Sequence, residues 1–418
     1  MKKKILLKAP VLTRSGYGEQ SRFALRALRS RPDLFDVYIQ PLQWGQTSWI
    51  SEEDEEKTWI NHAIEKTIAF MQHGGSFDAS LQSTIPNEWE RIAPVNIGFT
   101  AGMETTRVAH QWIEKGNEID KIFVVSDHSR DTYRNTAYVA THNETGEQKE
   151  VKLNTPIVTT NYPVKEHGDP PDLGIELDYD FNFLVMAQFG PRKNLPNTVK
   201  WFIEEFHNDE VGLVVKANLA KNCVMDRERL FNDMKNLIMQ YPERKCKVYL
   251  LHGDMTDTEI HSLFEHPQLK AFLTLTHGEG FGLPIFEAAY TGMPVVAPGW
   301  SGQLDFLVNK ETGNSEFYSV EYDIQPIPDE VVWEGVIIKD SMWAYPREHS
   351  AKQQMRKCYA DLTSDRAEEV MKRAEEHVVY LREKFTKENQ YALMVSEICE
   401  TLNIDTQASR EEIVLEFE

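Results

Sequence analysis

The residues of this 418-residue chain best suited to chemistry lie in one stretch, THGEGFGLPIFEAAYTGMPVVAPGWSGQLDFL, beginning at Thr276. Gly278, Gly280 and Gly282 let the backbone approach a ligand closely. Pro284 opens a helix that closes near Gly292. The amides of Phe281, Gly282 and Leu283 then point out of the helix N-terminus, where an anion binds. Glu279 sits in the loop and Glu287 about one turn into the helix. Two carboxylates flanking one phosphate-binding turn can accept hydrogen bonds from sugar hydroxyls while amides neutralise a diphosphate. The plainer alternative is a generic helix N-terminus with two solvated glutamates. The glycines, the glutamate spacing and the following GMPVVA strand agree with the first.

These groups need a scaffold, and short apolar runs alternating with amphipathic segments supply one. Strands are expected at Ile5–Leu7, Val37–Ile39, Val95–Phe99, Ile122–Val125, Phe183–Met186, Val211–Val215, Val248–Leu251, Ala271–Leu275 and Val295–Ala297. Runs this apolar suit strands covered on both faces, as in parallel sheets. Val199, Phe202, Ile203 and Phe206 fall at helical spacing behind Pro196. Thr256 and Glu259 have capping-box spacing ahead of Ile260, Leu263 and Phe264. Val370 to Phe385 and Tyr391 to Leu402 predict two last helices. Alternating βα units predict doubly wound, Rossmann-like α/β domains. The Pro-, Gly- and Asp-rich segment KEHGDPPDLGIELDYD (165–180) marks the boundary. The expected division is 1–168, a linker over 169–180, and 181–387, with a last helix at about 388–404 returning to the first domain. A ligand then binds between the domains, outside the carboxyl ends of the strands.

Composition narrows the classes. With 41% hydrophobic and 27% charged residues the chain is globular, not disordered. No apolar run approaches the roughly 20 residues of a membrane span. The charge sum of 45 basic and 66 acidic residues, −21, lowers the odds of a polyanionic partner. The first 31 residues run against that average, and Arg22, Arg26 and Arg29 share one face of an expected helix. That face is either solvated or a surface for an anionic acceptor, membrane or nucleic acid; its small apolar side argues against peripheral membrane contact. Four scattered cysteines with no CxxC pair suit a reducing, cytoplasmic setting. Asp178-Tyr179-Asp180 forms a D-x-D, a metal-binding pattern elsewhere; in the linker it reads as solvated, and no metal site is expected.

The segment EGFGLPIFEAAYTGMPVVA, with Glu279, seven residues and Glu287, resembles the signature of retaining glycosyltransferases of family 4, which have the GT-B fold of two facing Rossmann-like domains. METTRVAHQWIEKGNEIDKIFVVSDHSRDTY resembles that family's acceptor-domain segment, QFGPRKN the start of its donor domain, and KVYLLHGDMTDTEIHSLF its nucleotide-loop unit. The resemblance implies that Glu287 holds ribose hydroxyls, Glu279 lies near the transferred sugar, and Gly280, Phe281, Gly282 and Leu283 meet sugar or phosphates through their backbone. It implies Lys193 as the diphosphate cation. The family's usual arginine five residues earlier is Gln188 here, which leaves Arg192 or Lys216 as the second cation. Gly16 and Gly18, in TRSGYGEQSR after the first strand, match the family's glycine loop facing the donor phosphates; Tyr17 is either a cap on the cleft or a turn residue. His110 and Glu104 fall in the acceptor-domain match, and His110 is the candidate for the histidine that contacts the transferred sugar. Asp127 and His128 are alternative acceptor-side groups.

The expected reaction is metal-independent transfer of a sugar from a nucleotide diphosphate, UDP or GDP, to a hydroxyl of a saccharide or glycoconjugate, with retention. No permanently bound cofactor is expected. Glycosylation of hydroxylated bases in DNA is a minority alternative. Nucleotide-sugar epimerases, disaccharide phosphorylases and a non-catalytic sugar-nucleotide-binding subunit share the architecture and stay open.

Overall fold

The computed structural model describes residues 2–45, 47–142, 144–220 and 222–404. The first domain is built from β1 (Lys3–Ala9), α1 (Gly16–Arg29), β2 (Phe35–Pro41), α2 (Glu55–Gln72), β3 (Ala79–Ser83), β4 (Val95–Thr100), α3 (His110–Asn117), β5 (Lys121–Val124), α4 (Asp127–Asn135), the hairpin β6 (Ala137–Thr141) and β7 (Gln148–Lys152), and β8 (Ile157–Thr159). The second comprises β9 (Asn182–Gln188), α5 (Leu195–Glu205), β10 (Gly212–Asn218), α6 (Val224–Ile238), β11 (Lys247–Leu251), α7 (Asp257–Glu265), β12 (Leu269–Leu273), α8 (Leu283–Tyr290), β13 (Val295–Pro298), α9 (Leu304–Leu307), β14 (Tyr318–Val320), the hairpin β15 (Tyr322–Pro326) and β16 (Met342–Pro346), α10 (Glu348–Leu362) and α11 (Ala367–Lys384). The last helix, α12 (Lys387–Thr401), packs on α1 of the first domain, where Phe23 and Tyr391 stack at 5.9 Å.

Both domains carry a six-stranded sheet, ordered β2-β1-β3-β4-β5-β8 and β11-β10-β9-β12-β13-β14, and every pairing in them is parallel. The second order reverses between β9 and β12 and the first between β1 and β3, so each sheet opens a crevice there at its carboxyl edge. Each expected apolar run falls on a strand because both sheet faces are covered by helices. β3, sequence ASLQS, is buried yet largely polar, so it carries no apolar run. Its polar groups are satisfied inside: Ser80 Oγ donates to Asn96 Oδ1 at 2.9 Å and Gln82 Nε2 to the Glu90 carbonyl at 2.6 Å. The capping box at Thr256 forms as its spacing predicts.

The chain crosses between domains twice, near residues 160–181 and at Phe385, and the two crossings are joined where Val164 N donates to the Phe385 carbonyl at 2.7 Å. Asp178 of the D-x-D pairs with Lys247 at 2.7 Å and Tyr249, as a surface residue does.

One expectation for the N-terminal segment is refined and one needs correction. The glycine loop is the first turn of α1, capped by Ser15, whose Oγ accepts from Gly18 N at 2.9 Å. A Cβ on Gly18 would sit 2.0 Å from the Thr13 carbonyl oxygen, so this glycine lets α1 pack against the loop that leads into it from β1, whereas a Cβ on Gly16 meets nothing within 4 Å. The Arg22, Arg26 and Arg29 face is neither solvated nor free for an anion. Arg22 bonds Glu19 at 3.0 Å, Arg26 makes a two-pronged pair with Glu56 at 2.7 Å, and Arg29 lies over the Trp59 ring at 4.4 Å. Gly18→Ala should cost about 1–3 kcal/mol through overpacking, read as an earlier urea transition, while Gly16→Ala should cost less.

Candidate active site in the interdomain cleft

The two loops that leave β9 and β12 meet at the crevice of the second sheet. After β9, Pro191–Lys193 form one 3-10 turn, and Asn194 takes a left-handed conformation (φ 51°) whose side chain donates to the Leu275 carbonyl at 3.0 Å. His277 N donates back to the Arg192 carbonyl at 2.8 Å. The pair of loops is thus one rigid unit.

Within it, Lys193 Nζ lies 2.6 Å from Glu279 Oε1 and Arg192 Nη1 lies 3.1 Å from Oε2. Arg192 Nη1 also donates to the Gly278 carbonyl at 2.6 Å, and its Nη2 is 3.4 Å from Glu104 of the first domain. Burial would raise the Glu279 pKa, but Lys193 and Arg192 override it and hold the carboxyl down at about 2. Burial lowers the Lys193 pKa against the opposing pull of Glu279. Glu279 N donates to Ser301 Oγ at 2.9 Å, and Ser301 is held at φ 75° with its hydroxyl on Gln303 Oε1. A buried serine in this conformation is strained, and here it fixes the backbone of the loop that carries Glu279.

The glycines have distinct duties. A Cβ on Gly280 would come within 2.2 Å of the Ala101 carbonyl oxygen and one on Gly278 within 2.5 Å of the Glu104 carbonyl oxygen, so both permit the two domains to touch through backbone. Gly282, at φ 97°, is the N-cap of α8, and Leu283 begins the helix. Phe281 does not present its side chain to a ligand: it is buried against Tyr162, Phe286 and Phe306, which anchors the loop and leaves only its backbone for binding.

Glu287 differs from Glu279. Among the described residues nothing hydrogen-bonds its carboxylate, and it borders a cavity of about 350 Å³ with Glu19, Lys165 and Asp257. Burial pushes its pKa up to about 7, because the nearest cation, Lys165, is already shared by Glu19 at 3.2 Å and Asp257 at 2.9 Å. Lys165, Glu19 and Asp257 carried no pattern in the sequence; they come from three separate segments. Gln188 is exposed, donates to the Leu219 carbonyl at 2.9 Å, and supplies no charge. Lys216 bonds the Gly253 carbonyl, and Arg14 reaches across from the first domain to the Met255 carbonyl at 3.1 Å. Two cations thus converge on the loop after β11, one of which the sequence did not suggest.

On the acceptor side the structure redistributes the candidates. Glu104 faces Arg192 across the domain boundary. His110 is exposed at the start of α3 with its ring 5.9 Å from Tyr138, so it is not part of the carboxylate cluster. Asp127 is engaged structurally: it pairs with Lys310, and its N–H donates to Asp305 Oδ2 at 2.9 Å, bonds that join the two domains. His128, its neighbour, is half-buried at the interface with its ring 4.8 Å from Trp300, and its buried Nε2 has no hydrogen-bond partner. Burial lowers its pKa to about 4, which keeps the imidazole neutral at pH 7. Among the described residues no three His, Cys, Asp or Glu side chains gather to hold a metal, and no helix is long and apolar enough to cross a membrane.

The raised Glu287 pKa has a stability consequence. A folded-state value of about 7 against the ordinary 4.5 means that the folded protein binds the extra proton between those pH values. Stability contributed by this group is therefore full below pH 4.5 and lost as pH rises through 7. Glu287→Gln should leave the melting temperature unchanged at pH 4.5 and raise it at pH 8, by the equivalent of about 1–3 kcal/mol.

No protein-family model and no curated protein matches the sequence. Among solved structures the chain is similar to a glycosyltransferase from Rickettsia africae ESF-5, with TM-score 0.60 and 14% identity over 97% of this chain and 100% of that one. It is similar also to sucrose-phosphate synthase from Thermosynechococcus elongatus (TM-score 0.59, 13% identity, 97% and 100% covered). A third is Anabaena HepE, solved in complex with UDP and glucose (TM-score 0.54, 9% identity, 95% and 100% covered). Identities this low speak to architecture. Two parallel-sheet α/β domains facing across a cleft, matched over nearly the whole chain, give this protein the GT-B fold.

Proposed function

We propose that this protein is a retaining glycosyltransferase that moves a sugar from a nucleotide diphosphate to a hydroxyl of a neutral saccharide or glycoconjugate. The observation that carries the reading is the clamp of Lys193 and Arg192 on Glu279, set at the mouth of α8 and followed by an unpartnered Glu287 on the same helix. UDP and glucose, bound together in one fold neighbour, fit this reading.

Within the folded chain Lys193 and Arg192 are neutralised by Glu279 and Glu104. A diphosphate would compete for the two cations, with the first-turn amides of α8 meeting its oxygens. Charge develops on the leaving phosphate as the glycosidic bond breaks, and preorganised cations stabilise it there. Glu279, freed in part from its partners, would accept from the sugar hydroxyls. Glu287 lines the cavity where ribose would sit and has unused acceptor capacity. His128, at the domain interface with an unpartnered ring nitrogen, is a second candidate beside His110 for the imidazole that meets the transferred sugar. The acceptor hydroxyl would attack from the face the phosphate leaves, with a phosphate oxygen as base. The engagement of Arg22 and Arg26 by glutamates favours a neutral acceptor over DNA or a membrane surface.

A thermal-shift screen with UDP, GDP, ADP and their sugars, run with EDTA, tests the donor class. One nucleotide at 100 times its dissociation constant should add about 2.7 kcal/mol of stability. Glu287→Ala should weaken that nucleotide by about 10–100-fold, the worth of a charged hydrogen bond. Lys193→Ala should lower kcat by about 10²–10³ as loss of one transition-state partner does. No shift with any nucleotide, or wild-type binding in Glu287→Ala, would overturn the assignment.

A further inference from the structure

The segment Ile327–Ser341, between β15 and β16, belongs to neither sheet. It leaves the second domain, reaches across the cleft and docks on the first. Its tip is a turn closed by Ile337 N donating to the Trp333 carbonyl at 2.8 Å, with Gly335 at φ 76°. Asn87 of the first domain donates its amide to the Gly335 carbonyl at 2.9 Å, and Asn87 is itself oriented by Trp112 Nε1 at 2.6 Å. Val336 is only 8% exposed, and every other buried residue of the cluster that covers it belongs to the first domain. Such a residue on a free surface excursion would face water; this one completes the core of the opposite domain.

The base of the segment is tied just as firmly. Thr106 N donates to the Met342 carbonyl and Met342 N to Thr106 Oγ1, both at 3.1 Å, and Arg107 pairs with Asp340. Thr106 stands two residues from Glu104, which meets Arg192. On the other side, Ala344 N donates to the His277 carbonyl at 3.1 Å, two residues before Glu279. The arm therefore links the two loops that supply the carboxylates and lies on the acceptor-domain side of them. Ile337 and Ile338 join the same cluster as Tyr17 and Trp44, whose part-exposed rings lie tilted against each other at 4.1 Å. An aromatic and aliphatic wall beside charges that already cancel suits the apolar faces of an uncharged sugar ring.

We infer that Ile327–Ser341 is a strap that holds the two domains together on the acceptor side and sets acceptor specificity, admitting a short neutral saccharide end past Tyr17 and Trp44 while excluding bulkier chains. The acceptor part of this inference rests on the glycosyltransferase reading; the domain-holding part does not. Pro326 and Met342 are paired opposite each other in the β15–β16 ladder, so an Asn-Gly turn can replace the whole strap without moving either strand. A second variant, Val336→Asp, keeps the strap and removes its anchor.

Two measurements on the full chain test it. Small-angle scattering of each ligand-free variant should show a larger radius of gyration than wild type. Transfer from the donor found by thermal shift should then be measured on a glycan panel that pairs each monosaccharide methyl glycoside with its linear hexasaccharide. The ratio of kcat/KM for long over short acceptors should rise about tenfold or more, the scale of a lost steric discrimination, while the donor KM stays within about twofold. An unchanged radius of gyration in both variants overturns the strap, and an unchanged long-to-short ratio overturns its role in specificity. A wild type that binds no sugar nucleotide overturns the glycosyltransferase reading instead, and the scattering result still decides whether the strap holds the domains.

Discussion

Four charges meet where the two sheets face one another: Lys193, Glu279 and Arg192 from the second domain and Glu104 from the first. Withdrawing a charge from water costs several kcal/mol, and only a well-placed partner offsets it. Here each cation has a carboxylate and the sum is zero, so the loops that carry them can be buried together. The loop geometry follows from this constraint. Asn194 turns left-handed so that Lys193 points inward, Ser301 accepts strain to hold the Glu279 amide, and Gly278 and Gly280 remove the side chains that would keep Glu104 and Ala101 at a distance. A neutral cluster also means that no surplus positive charge waits for a ligand. On the proposed reading, an incoming diphosphate would take cations from carboxylates, which would make binding an exchange of partners within a closed set.

The two glutamates of the site show how environment sets chemistry. They stand eight positions apart, and their pKa values are pushed in opposite directions, to about 2 and about 7. Glu279 lies between two cations and stays ionised. Glu287 has one cation nearby, and Glu19 and Asp257 already hold it. Environments that drive a pair of like groups apart in this way assign them different roles. On the proposed reading, an ionised Glu279 would manage positive charge during turnover, and a Glu287 carboxyl that titrates near neutrality would suit hydroxyl recognition, since it can accept or donate.

Much of the scaffold was legible because parallel strands covered on both faces favour continuous apolar runs, as at Phe183–Met186 in β9 and Leu213–Val215 in β10. β3 escaped because its polar side chains are satisfied inside the protein, which no periodicity reveals. The Glu279 and Glu287 pattern was legible because the glycines, the proline at the start of α8 and the carboxylates crowd one short segment. Lys165, Arg14 and Ser301 were not, since their importance comes from contacts between distant segments. The same limit applies to His110 and Asp127. The resemblance set both on the acceptor side, but only the folded chain shows His110 exposed beside Tyr138, His128 against Trp300 and Asp127 turned to Lys310. The arginines of α1 mislead for a related reason: a basic face on a helical projection says nothing about Glu19 and Glu56, which close over it.

The closed arrangement has a cost that the ligand must meet. The domains are joined by the Arg192–Glu104 pair, by Asp127 with Lys310 and Asp305, by Lys165 with Glu19 and Asp257, and by the docked segment around Val336. The first three are polar contacts at the cleft edge, which water can replace when the domains move apart. The fourth is apolar burial, which water cannot replace. Opening therefore costs both kinds of contact: ion pairs are loosened, and apolar surface is exposed at Val336 and also at Phe281, which packs on Tyr162 at 5.1 Å on the Glu287 side. On the proposed reading, a nucleotide entering near Glu287 would meet that cost from its own contacts, so donor binding and domain closure would be linked.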